Sequence, residues 1–93
     1  MITCFLFGKY SSKAYGEISS QRTAAAEKVI ADQGGKLQSM YALVGDPDLV
    51  LIIDFPDIKA ALKASVELGK LTGISFRTSQ ALTVTEFDHL MAG

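Results

Sequence analysis

Between Asp48 and Asp54 the chain reads Leu49-Val50-Leu51-Ile52-Ile53. A β-branched run this short, bounded by turn residues, forms a strand. Successive side chains of a strand point to opposite faces, so this strand is apolar on both. The first segment repeats the pattern, with Phe5 and Phe7 opposing Cys4 and Leu6. An antiparallel sheet covered by helices on one side reads polar on the other, and this one does not. Whichever set meets the helices, the other forms an apolar patch of a size that monomers rarely expose. The connections are too short to cover it. A second copy packed sheet to sheet about a twofold axis would, so a homodimer or higher oligomer is expected.

The remaining elements follow from periodicity and punctuation. Ile2 to Tyr10 is rich in β-branched and aromatic residues and reads as a strand, followed by a polar connection through Ser11, Ser12 and Gly16. From Ser19 to Gln33, Arg22, Ala25, Ala26, Val29 and Ile30 recur at helical spacing. Ser19 or Ser20 caps that helix and Gly34-Gly35 ends it. Lys36 to Val44 alternates as a second strand, and the turn Gly45-Asp46-Pro47-Asp48 joins it to Leu49–Phe55 as an antiparallel hairpin. Pro56-Asp57 stops the strand and caps a helix, with Ile58, Ala61, Leu62, Ser65, Val66 and Leu68 expected inward and Gly69 and Gly73 at its exit. A fourth strand runs from Ile74 to about Val84, and Thr85 to Leu90 forms a short terminal turn or helix. The order β-α-β-β-α-β is the ferredoxin-like arrangement of the α+β class: a four-stranded antiparallel sheet with two helices on one face. Ninety-three residues suffice for a single domain over 1–93.

Charge and composition exclude several partners. Nine Lys and Arg against ten Asp and Glu give a net charge of −1, with no basic excess to neutralise nucleic-acid phosphates. The longest apolar run falls far short of the ~20 residues that span a bilayer. The N-terminus lacks a basic segment ahead of an apolar stretch, so a cytoplasmic protein is expected.

Few residues here carry chemistry. The single His, His89, lies near the C-terminus, where segments are loosely held, and reads as a surface residue. The single Cys, Cys4, sits in an apolar strand and reads as a small hydrophobe. One His and one Cys far apart make neither a metal site nor a nucleophile–base pair, so no catalytic residue, metal or cofactor is assigned. Gly34-Gly35 follows a helix, the wrong context for a phosphate loop. Gly45, Asp46 and Asp48 mark the hairpin turn, with Asp48 expected to cap the local backbone. Asp54 ends an apolar strand and calls for a partner, Lys9 or Arg77. Lys9, Tyr10, Tyr41, Asp54 and Arg77 are the polar groups that strands can aim into an intersheet cleft, and they are the candidate ligand-binding set.

In Phe5-Leu6-Phe7-Gly8-Lys9-Tyr10, Gly16, Arg22, Gly34-Gly35-Lys36, Tyr41, the stretch Gly45 to Ile53 with Pro56, Arg77-Thr78 and Thr85-Glu86-Phe87, the chain resembles the GYD family of small bacterial proteins. Pro47 stands where that family's signature tyrosine is expected. The resemblance implies a dimeric α+β barrel and no particular activity. Gly45 to Val84 is more loosely similar to the effector-binding domain of Lrp/AsnC-type regulators, which assembles dimers and binds amino acids between subunits. The stretch holds no helix-turn-helix, so a regulator of that kind would lack its DNA-reading half. The favoured function is a non-catalytic, homo-oligomeric module for small-molecule binding or assembly. The alternative is a cofactor-free enzyme of the monooxygenase or isomerase kind, supported by fold analogy alone.

Overall fold

A computed structural model describes residues Met1–Gly93. Its elements are β1 (Ile2–Tyr10), α1 (Ser12–Gly16), α2 (Ser20–Asp32), β2 (Lys36–Ala42), β3 (Leu49–Phe55), α3 (Ile58–Thr72), β4 (Ile74–Ala81) and α4 (Val84–Ala92). The strands form one antiparallel sheet in the order β2-β3-β1-β4. The apolar strands β1 and β3 take the two central places, where both edges are paired. Leu6 lies opposite Leu51 and Thr78, and Cys4 opposite Ile53. α2 and α3 pack on one face. Beneath them Cys4, Leu6, Leu51, Ile53, Phe55, Ile30, Ala61, Ala64 and Leu68 are buried to within 2% of full enclosure. This is the expected ferredoxin-like α+β fold.

The inward face of α3 differs from the expected one. Ala61, Ala64, Leu68 and Thr72 are buried, whereas Ile58, Leu62 and Val66 lie on the exposed side. The two alanines allow the helix axis close to the sheet, and that approach fixes the rotation. Ser65 is half-buried and its hydroxyl meets the Thr78 hydroxyl at 2.6 Å, pinning α3 to β4. Gly73 ends α3 at φ +73°, a left-handed conformation that glycine adopts without strain.

Three boundaries also shift. The connection expected after β1 contains the short helix α1, capped by the Ser11 hydroxyl, which accepts the Ala14 amide at 3.0 Å; Ala14 is fully buried. β2 ends at Ala42 after a bulge between Leu37 and Ser39, and β4 ends at Ala81. The terminal segment is a helix of nine residues, started by a Thr83–Glu86 capping box. No residue of α4 is buried, and Val84, Phe87, Leu90 and Met91 are all at least half-exposed.

Candidate functional site

A cavity of about 230 Å³ opens between the helix layer and the sheet, beside the β2–β3 turn. Tyr10 of β1, Met40 and Ala42 of β2, Leu49 and Leu51 of β3, and Ile74 and Phe76 of β4 form its floor. Arg22, Thr23 and Ala26 of α2, with Leu68 and Thr72 of α3, form its roof. Ala26, Leu49, Leu51, Leu68, Thr72 and Ile74 are buried, so the cavity runs into the core, while Thr23 and Ala42 are exposed at its mouth. Gly8 leaves the floor room. A Cβ there would lie 2.9 Å from Ile74 Cγ2, 3.0 Å from Phe76 Cε1 and 3.3 Å from Leu49 Cβ, three of the wall residues.

The mouth is built around two tyrosines and a guanidinium. Tyr10 and Tyr15 meet edge to face at 4.9 Å, and Arg22 lies 5.5 Å from the Tyr10 ring centre. Arg22 Nη1 donates to the Ala14 carbonyl at 2.6 Å. Asp48 fixes the tyrosines, accepting the Tyr10 amide and the Tyr15 hydroxyl at 2.9 Å each. Those bonds, the amide's foremost, hold the Asp48 carboxyl below its ordinary pKa, and the same contact raises the Tyr15 hydroxyl. Asp48 was expected to cap the hairpin's own backbone. Its carboxylate instead reaches the end of β1 and α1, because the Asp48 amide donates to the Gly8 carbonyl at 3.0 Å and draws the turn against β1.

The candidate set does not converge. Only Tyr10 lines the cavity. Lys9 is exposed and pairs with Asp46 at 3.0 Å, a contact that raises its pKa. Arg77 lies over Phe7 at 5.2 Å and Tyr41 is 57% exposed; both strands place them on the sheet face opposite the helices. Asp54 bonds neither Lys9 nor Arg77. It accepts the Thr3 hydroxyl at 2.7 Å and the Gln38 amide, and these lower its pKa. The register explains the difference. Asp54 faces Thr3 and Lys36, whereas Lys9 lies six residues further along β1, roughly 20 Å at 3.3 Å per residue. Gly45, with φ +112°, and Asp46 lie in the exposed turn.

The open sheet face carries a depression of about 290 Å³ over Thr3, Phe5 and Ile52, walled by Leu82, Thr83 and Glu86. None of the five candidates lines it. A broader groove of about 690 Å³ runs between α3 and the β4 edge past Leu62 and Val66. Cys4 is fully enclosed, and burial followed by the Asp54 charge pushes its thiol up. No group of three or more His, Cys, Asp or Glu side chains comes together.

Sequence reasoning placed Arg22 on the inner face of its helix without giving it a site role. The signal was there: a cation at an otherwise small and apolar helical face, beside Ala25, Ala26 and Val29. The other wall residues carried no signal apart from that of an ordinary core.

A four-stranded antiparallel sheet with two helices on one face and a cavity between the layers defines an α+β domain of the ferredoxin-like class. Within that class the chain belongs to the GYD-domain family, whose model matches residues 4–91. No curated protein matches it. Among solved structures, the Mycobacterium tuberculosis leucine response regulatory protein (LrpA) is similar, with a TM-score of 0.59 at 11% identity, covering 88% of this chain and 51% of that one. A crystal structure of a glutamate-to-alanine mutant matches with a TM-score of 0.65 at 13% identity, covering 88% of this chain and 50% of the other. These likenesses are of fold, and this chain spans about half the length of each. No helix is long and apolar enough to cross a membrane.

Proposed function

We propose that this GYD domain is a non-catalytic module that binds a small molecule in the cavity between its helices and its sheet, within a homo-oligomer. The cavity carries the reading. Protein interiors pack to the density of organic crystals, and apolar walls facing empty space forfeit dispersion contacts. A gap of about 230 Å³ running from a solvent-facing mouth into buried Leu51 and Leu68 has room for a one-ring guest and the mostly apolar lining of a ligand site. Binding is favoured over catalysis by the wall itself. It holds no carboxylate, lysine, histidine or cysteine, and so no base to move a proton near neutral pH.

Assembly is supported by surface and shape. The chain exposes 5988 Å², against about 5,200 Å² for a monomer of 10.0 kDa. Its radius of gyration is 14.0 Å, against about 12 Å for a domain this long. The helix-free face presents half-buried Phe5, Phe7, Val50 and Ile52, and α4 buries no residue. A second copy of the chain is the occupant proposed for that face.

Toluene, titrated while the methyl resonances are followed by NMR, tests the cavity. Shifts at Met40, Leu51 and Leu68 are expected, and Ala26→Leu, which fills the roof, is expected to abolish them. Unmoved methyls at saturating toluene, or equal shifts in the filled variant, would overturn the reading.

A further inference from the structure

The cavity carries one formal charge, and that charge has no counterion. Arg22 is half-buried at the mouth and takes part in no ion pair. Of the five N–H donors of its guanidinium, one is used on the Ala14 carbonyl. The Tyr10 ring, 5.5 Å away, supports the guanidinium by a cation–π contact. The Asp48 carboxylate, which orders both tyrosines, is itself taken up by the Tyr10 amide and the Tyr15 hydroxyl. A positioned fork of unpaired donors at the lip of an apolar space matches a planar carboxylate, which such a fork binds through two parallel hydrogen bonds.

Resting on the cavity reading above, we infer that the guest is a small monoanionic carboxylic acid with a single apolar ring or branched chain, its carboxylate on Arg22 and its body against Met40, Leu51 and Leu68. Size agrees. A cavity of about 150 Å³ holds benzene, so about 230 Å³ takes one ring with a short acid side chain. The wall also selects against an amino acid of the same bulk. No Asp or Glu lines the cavity, so the α-ammonium of an amino acid, held at the lip beside its carboxylate, gains no carboxylate partner from the wall and lies close to the Arg22 charge.

Calorimetric titration at pH 7 with phenylacetate, phenylacetamide and phenylalanine distinguishes these possibilities, with the toluene shifts above as the check on the cavity itself. Phenylacetate is expected to bind at least tenfold more tightly than either of the others. Arg22→Gln is expected to erase its advantage over phenylacetamide. Arg22→Lys, which keeps the charge but not the fork, is expected to retain only part of the advantage and serves should the glutamine variant fail to fold. Equal affinity for phenylacetate and phenylacetamide, with toluene still bound, overturns the acid and leaves the cavity reading standing. An undiminished preference in the Arg22 variants overturns Arg22 as the anchor. Failure of all four probes to bind overturns both readings.

Discussion

Asp48 shows how much one side chain of a turn can organise. Its carboxylate holds the Tyr10 amide and the Tyr15 hydroxyl, joining the turn to the end of β1 and to α1. Because those bonds favour the ionised form, its pKa is lower in the folded chain than the ordinary 3.8 of the unfolded one. The stabilisation is therefore complete above about pH 4 and is lost as pH falls through the depressed folded value. Asp48→Asn is expected to lower the urea midpoint at pH 7 and to flatten the loss as pH falls below about 4, read from unfolding curves taken from neutral pH downward. An acid limb identical to that of the unsubstituted chain would refute the role. Gly8 acts by lacking a side chain. Gly8→Ala places a methyl 2.9 Å from Ile74 and 3.0 Å from Phe76. Overpacking of this kind costs about 1–3 kcal/mol, and the variant is expected to weaken toluene binding as well, both measurable on one sample. Turn chemistry marked Asp48 in the sequence, yet its partners lie 38 and 33 positions away, beyond the reach of any local pattern.

At the scale of elements, strand and helix identities follow from local rules and orientations do not. β1 and β3 have the residues that their pattern predicts, since period-two patterning fixes which side chains share a face. α3 is where the pattern misled. Its apolar residues cover more than one stripe, and the alanines rather than the larger Leu62 and Val66 face the sheet. Leu68→Ala is expected to cost about 2–5 kcal/mol, the range for emptying a buried leucine site. Leu62→Ala is expected to change the isolated protomer by only about 0.5 kcal/mol, as exposed substitutions do. Urea unfolding of the two variants at low protein concentration separates the predicted face from the one observed. α1 escaped the pattern because five residues are too few to display a helical period.

Over the whole molecule, two surfaces lack cover: the helix-free face of the sheet and the apolar side of α4. If a second copy covers that face, Ile52→Lys at its centre is expected to halve the mass seen by analytical ultracentrifugation while leaving the far-ultraviolet circular dichroism unchanged. An unaltered sedimentation profile would remove the sheet face from the proposed interface. Read alone, the sequence determined the class of the fold, the strand pairing of the hairpin, the caps of α2 and α3 and the apolar character of both faces of the sheet. Those depend on propensity and periodicity within a few neighbouring residues. Tertiary structure decided the rest: which side of α3 turns inward, that Asp54 meets Thr3 and Gln38 rather than a cation, and that the cavity opens on the helix side with Arg22 at its mouth. These depend on strand register and on how closely small residues let the layers approach, quantities fixed only when distant segments pack together.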